Sequence, residues 1–204
     1  MFFIFLLEGI SMNICVYCAS SDHISPEFFD AARELGALIA KNGHTLIFGG
    51  GSSGLMGAVG NGALENGGTV IGIAPKFFDE PGVLMKNLSE FIFTETMAER
   101  KSIMEDMADA FIALPGGIGT FEEFFEVLTL KQLGRHSKSI SLLNTKDYYD
   151  DFNAMLAHTA KRGFMSVACL DLYKLCQTPE EALEHAMVHD ENIGSIRKLS
   201  DYNK

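Results

Sequence analysis

Basic residues are scarce in this chain: 16 Lys and Arg stand against 27 Asp and Glu, a formal net charge of −11 at pH 7. Non-specific binding of DNA or RNA needs a basic surface, so that class of function is excluded. A phosphorylated small molecule is not, because a few local donors suffice for one phosphate. Cysteine is equally sparse. Cys15, Cys18, Cys169 and Cys176 form no framework, which excludes a disulfide scaffold. Cys15-x-x-Cys18 lies inside an apolar, strand-like run and has no second Cys/His pair, so redox and zinc roles are disfavoured. His185-x-x-x-His189 could bring two imidazoles to one helix face, but no third ligand is evident and no metal is expected. No apolar run is long enough to span a bilayer. Met1 to Leu7 is strongly apolar but too short, and it lacks the basic flank and small-residue cleavage site of a signal peptide. The expectation is an apolar leader over residues 1–12, a single domain over residues 13–204, no membrane partner and a cytoplasmic location.

Apolar runs and helical periodicities alternate along the rest of the chain. Strands are expected over Asn13–Ala19, His44–Phe48, Thr69–Ala74, Glu90–Thr94, Ala110–Leu114, Ser139–Leu143 and Asp171–Cys176. Helices are expected from Ser25-Pro26 to Asn42, over Leu55–Asn66 and Thr96–Ala108, from Phe124 to Leu133, over Asp147–Arg162, and from Pro179. Pro75–Ser89 reads as irregular. Strands that are continuous apolar runs between helices imply an α/β fold, a doubly wound parallel sheet in three layers. Ligands bind such sheets at the carboxyl ends of the strands, which here carry Ala19-Ser20-Ser21, Gly49–Gly54 and Pro115–Thr120.

Gly49 to Gly54 has the spacing G-x-G-x-x-G between a strand and a helix. A dinucleotide site also wants an acidic residue at the end of the next strand, which here reads Ala74-Pro75-Lys76. No Lys-Ser/Thr follows the glycines, so a Walker loop is disfavoured as well. Close packing and ligand approach remain equal readings of this turn. Pro115-Gly116-Gly117-Ile118-Gly119-Thr120-Phe121-Glu122-Glu123 is more specific. A glycine turn opening a helix presents free N–H groups to an anion, and this one also carries carboxylates. Thr120-x-x-Glu123 fits a capping box as well, in which Glu123 merely bonds back to the Thr120 N–H. Arg100-Lys101, on the preceding helix, is either an anion clamp or a solvated basic pair offset by Glu99 and Glu105.

Arg100-Lys101 followed by Pro115–Glu123 resembles the signature of the Lonely Guy family, cytokinin riboside 5′-monophosphate phosphoribohydrolases once labelled possible lysine decarboxylases. The resemblance extends to Cys18-Ala19-Ser20-Ser21, to Gly49–Gly51 with Gly54-Leu55-Met56-Gly57, and to Val127-Leu128-Thr129 with Gln132-Leu133-Gly134. It covers about Asn13 to Leu183. It implies a Rossmann-like homodimer that hydrolyses the N-glycosidic bond of AMP-like nucleotides, without cofactor or metal. By matching position, Arg100 and Glu123 would be the catalytic pair. Ser20, Gly50, Gly51, Met97, Lys101, Gly116, Gly117, Ile118, Gly119, Thr120, Phe121, Glu122 and Thr129 would bind substrate together with them. A non-catalytic nucleotide sensor on the same fold is the alternative. The decarboxylase label would need a lysine for pyridoxal phosphate, and no motif singles one out. The chain departs from the family pattern at Gly82, where relatives often carry glutamate, with Glu80 two residues earlier. Leu130 stands where many have tryptophan, and Phe48 where tyrosine is common.

Overall fold

The computed structural model describes residues 11–188. The strands are β1 (Asn13–Tyr17), β2 (Thr45–Phe48), β3 (Thr69–Pro75), β4 (Glu90–Thr94), β5 (Ala110–Ala113), β6 (Ser139–Leu143) and β7 (Lys174–Cys176). The helices are α1 (Pro26–Lys41), α2 (Gly54–Glu65), α3 (Met97–Met107), α4 (Ile118–Gln132), α5 (Asp150–Lys161) and α6 (Pro179–Ala186). All pairings are parallel, in the order β4-β3-β2-β1-β5-β6-β7. The chain starts at the centre, winds outward through β4, then returns to β5 and winds the other way. The reversal leaves a crevice between the carboxyl ends of β1 and β5.

Strand residues alternate between two cores. Ile14, Val16, Leu46 and Phe48 pack under α1, α2 and α6, among Leu35, Ile39, Leu55, Val59 and Leu183. Cys15, Tyr17, Ile47 and Phe111 pack under α3, α4 and α5, among Met104, Phe124, Val127 and Leu156. Burial on both faces explains why the strands read as unbroken apolar runs. Cys15 and Cys18 thus belong to different cores, and both are free thiols. Met12 is already buried, one residue before the expected start of the domain, and its N–H donates to His44 Nδ1. Residues 1–10 of the leader and His189 lie outside the described residues. Among the described residues no helix is long and apolar enough to cross a membrane.

Three expected elements shift. The last strand is only Lys174–Cys176, because Val167–Leu172 forms a 3-10 turn first. The helix expected from Asp147 begins at Asp150, since Lys146 and Asp147 adopt φ of 56° and 58° in a tight turn. The Asn144 side chain braces that turn by accepting from the Tyr149 N–H. Helix α4 begins at Ile118, well before Phe124, with Gly117 in extended conformation at its N-cap.

Candidate active site

A cavity of about 590 Å³ occupies the crevice. Three strand ends build it: Cys18, Ala19 and Ser20 after β1, Gly49, Gly51 and Ser53 after β2, and Gly117 to Thr120 after β5. The loops are tied together, the Ala19 N–H donating to Pro115 O at 3.2 Å.

Two helix N-termini face this crevice, and they differ in what their donors do. At α2 the first three N–H groups are consumed within the protein. Gly54 donates to Asp22 Oδ1 at 2.7 Å, and Leu55 and Met56 both donate to Ala19 O. Gly54 has φ +61°, and a Cβ there would lie 2.5 Å from the Ser20 backbone. Gly54 therefore serves close packing, while Gly49 and Gly51 of the same turn line the cavity. At α4 the first intrahelical bond runs from the Phe121 N–H to Gly117 O, leaving the N–H groups of Ile118, Gly119 and Thr120 without a helical acceptor. Cβ atoms on Gly117 or Gly119 would meet nothing within 4 Å. Open space around free donors at the positive end of a helix is suited to cradling an anion.

Thr120 is the third residue of α4 and not its cap, so the capping-box reading of Glu123 is corrected: its carboxylate has a distant partner. Arg100 Nη1 donates to Glu123 Oε1 at 2.7 Å, both side chains being 11% exposed. Arg100 Nε donates to Ile73 O at 3.0 Å. The other terminal nitrogen, Nη2, lies over Gly49, where a Cβ would stand 2.5 Å from it. Glu123 follows Gly119 by four residues, so its carboxylate lies on the helix face beneath the cradle. Burial raises the Glu123 pKa, the Arg100 charge and hydrogen bond opposing that shift in part. The pair is a desolvated carboxylate held by a guanidinium at the wall of the cavity.

The cavity brings together ten of the residues named from the sequence: Ser20, Gly51, Met97, Arg100, Gly117, Ile118, Gly119, Thr120, Glu122 and Glu123. Five others do not line it. Gly50 turns toward Phe91, whose ring a Cβ would meet at 2.6 Å. Gly116 packs on the Thr120 side chain and accepts from the Tyr148 hydroxyl. Phe121 stacks on Phe152 at 5.1 Å. Lys101 makes its direct ion pairs with Glu122 and Glu126, tying α3 to α4. Thr129 lies on the exposed outer face of α4. Sequence reading missed Met56, Phe78, Val83 and Leu84, which also line the cavity. Val83 and Leu84 come from the segment read as irregular, where only the departure at Gly82 gave a signal.

The family model for "possible lysine decarboxylase" matches residues 56–186. A cytokinin riboside 5′-monophosphate phosphoribohydrolase of Rhodococcoides fascians is 38% identical over 172 residues, 84% of this chain and 87% of that protein. Its namesake in Mycobacterium marinum is 39% identical over 172 residues, 84% of this chain and 91% of that protein. Among solved structures, the molybdenum cofactor binding protein of Rippkaea orientalis superposes with a TM-score of 0.66 at 24% identity, covering 86% of this chain and 95% of its own. The carrier protein of Chlamydomonas reinhardtii matches with the same TM-score, identity and coverage. At that identity the likeness establishes the fold alone. Decarboxylation through pyridoxal phosphate would need a lysine at the site, and none of the residues lining the cavity is a lysine.

Proposed function

The chain belongs to the possible lysine decarboxylase, or Lonely Guy, family, and on that premise we propose that it hydrolyses AMP-like nucleoside 5′-monophosphates. Cytokinin riboside 5′-monophosphate and AMP are the candidate substrates, and free base and ribose 5-phosphate the products. The observation that carries this reading is the buried Glu123–Arg100 pair one turn below a helix N-terminus with open donors.

The 5′-phosphate binds at the N–H groups of Ile118, Gly119 and Thr120, and remote binding energy positions the sugar over Glu123. As the C1′–N bond breaks, its electron pair leaves with the base and positive charge grows on the ribose. The Glu123 carboxylate stabilises that charge and orients the water whose oxygen bonds to C1′. One proton of that water is released and the base takes up a proton. Arg100, with Nε and Nη1 already bound inside the protein, holds the carboxylate in place.

We further infer a cytoplasmic homodimer. Phe125 and Leu133 are 37% and 59% exposed and flank Thr129 at helical spacing on the outer face of α4. A second copy that covers this stripe brings Thr129 to an interface, which accounts for its distance from the cavity of its own chain.

Base release from AMP and isopentenyl-AMP, followed by chromatography with Glu123→Gln as control, tests the reading. Release that vanishes in the variant supports it. Folded protein that binds AMP and releases nothing is a sensor instead.

A further inference from the structure

The segment between β3 and β4 is strapped onto the glycine turn. The Ser52 N–H donates to Val83 O and the Met85 N–H to Gly50 O, both at 2.9 Å, making an antiparallel bridge between Gly51 and Leu84. The Ser52 side chain joins this clip: its hydroxyl donates to Gly82 O at 2.5 Å, with Val83 O at 3.2 Å. Gly82 has φ +84°, a conformation that turns the strap back toward Ser52. Ser52 itself does not line the cavity, whereas Val83 and Leu84 do.

The position of the strap gives it a task. It covers the ends of β2 and β3, while the anion cradle belongs to β5, and β1 lies between them. A nucleotide whose phosphate occupies the cradle extends its base toward the strap. That end of the cavity is walled by Phe78, Val83 and Leu84 with Met56 and Met97, none of them charged. The side chains of such a wall offer no strong hydrogen-bonding group and discriminate by apolar contact.

Resting on the hydrolase reading for its choice of ligands, we propose that Ser52 is a positioning residue for substrate selection. Its hydroxyl pins the strap so that Val83 forms a fixed apolar wall favouring bases that carry an apolar substituent over the unsubstituted base.

The test compares isopentenyl-AMP with AMP, using the full chain, Ser52→Ala, Ser52→Thr and Val83→Ala. Both kcat/KM for base release and Kd by calorimetry are measured. In Ser52→Ala the preference for the isopentenyl nucleotide falls about 3- to 10-fold through KM, the scale of one lost neutral hydrogen bond. Ser52→Thr restores it, and Val83→Ala lowers it by a similar factor. An unchanged preference in folded Ser52→Ala or in Val83→Ala overturns the proposal, as does an equal loss of kcat on both substrates. The two readings fail separately: a chain that releases no base but binds with a Ser52-dependent preference overturns the hydrolase and retains the wall.

Discussion

Arg100 and Glu123, 23 residues apart in sequence, meet at 2.7 Å in the wall of the cavity. Two buried opposite charges stabilise each other only as a pair, and removing one strands the other. Glu123→Gln keeps the shape and loses the charge that faces the sugar. It is expected to lower kcat for base release by at least about 100-fold, with the fold intact by circular dichroism. A wild-type kcat in Glu123→Gln would reduce the pair to structural ion pairing. Arg100→Lys cannot reproduce two bonds in fixed geometry, and a similar loss of kcat is expected.

Gly49 makes room for the guanidinium, since a Cβ would stand 2.5 Å from Arg100 Nη2. Gly49→Ala therefore moves Arg100 and the carboxylate it holds. A loss in kcat of about 10-fold or more is expected, since small displacements of catalytic groups are costly. Parallel activity and thermal-melt measurements check this: a large fall in melting temperature with unchanged kcat per folded molecule would contradict it.

The glycines of the two turns divide by role. Gly119 faces open space at the start of α4. Gly119→Ala is expected to keep or slightly raise stability, by about 0.5 kcal/mol, while KM rises because the methyl stands in the cradle. Gly54→Ala meets the Ser20 backbone at positive φ and is expected to destabilise by more than about 2 kcal/mol. Denaturant titration of both variants, with KM for Gly119→Ala, separates these outcomes.

Glu105 is pushed up to about 7 from the ordinary 4.5, chiefly by burial and next by the negative Glu126, with Lys101 and Lys138 opposing. Folded protein then keeps a proton that the unfolded chain has lost, so stability falls as pH rises from about 4.5 to about 7. Glu105 is only partly buried and solvent screens it, so the effect is on the order of 1 kcal/mol. The buried Glu123 contributes a slope of the same sign. Melting curves of wild type and Glu105→Gln between pH 5 and 8 isolate the Glu105 share: the variant is expected to lose less stability across that range. Parallel curves would remove Glu105 from the account.

Leu133→Glu places a charge on the stripe beside Thr129. Light scattering at micromolar concentration is expected to find a dimer for the wild type and a monomer for the variant. A wild-type monomer that turns over normally would refute the interface.

Much of the fold was legible because its signals are local. Strands buried on both faces read as unbroken apolar runs, and the glycines at 43, 67 and 134 end helices at positive φ. The shifts came where a local pattern admits two outcomes. Thr120-x-x-Glu123 has the letters of a capping box, and nothing within nine residues says that Gly117 takes the cap and that the glutamate turns to Arg100. The G-x-G-x-x-G spacing likewise cannot reveal that its helix donors are spent on Ala19 O and on Asp22, the latter 32 residues from Gly54.

The order of apolar runs and glycine turns was enough to reach a parallel α/β sheet, because each depends on chain-local sterics and periodicity, while the family came from the resemblance of Arg100-Lys101 and Pro115–Glu123 to a known signature. Which helix end stays open, which glycines clear space for a side chain and which merely pack, and that Gly82, Val83 and Leu84 wall the cavity were settled by the folded arrangement. Each depends on hydrogen-bond partners that only the winding of the sheet brings within reach.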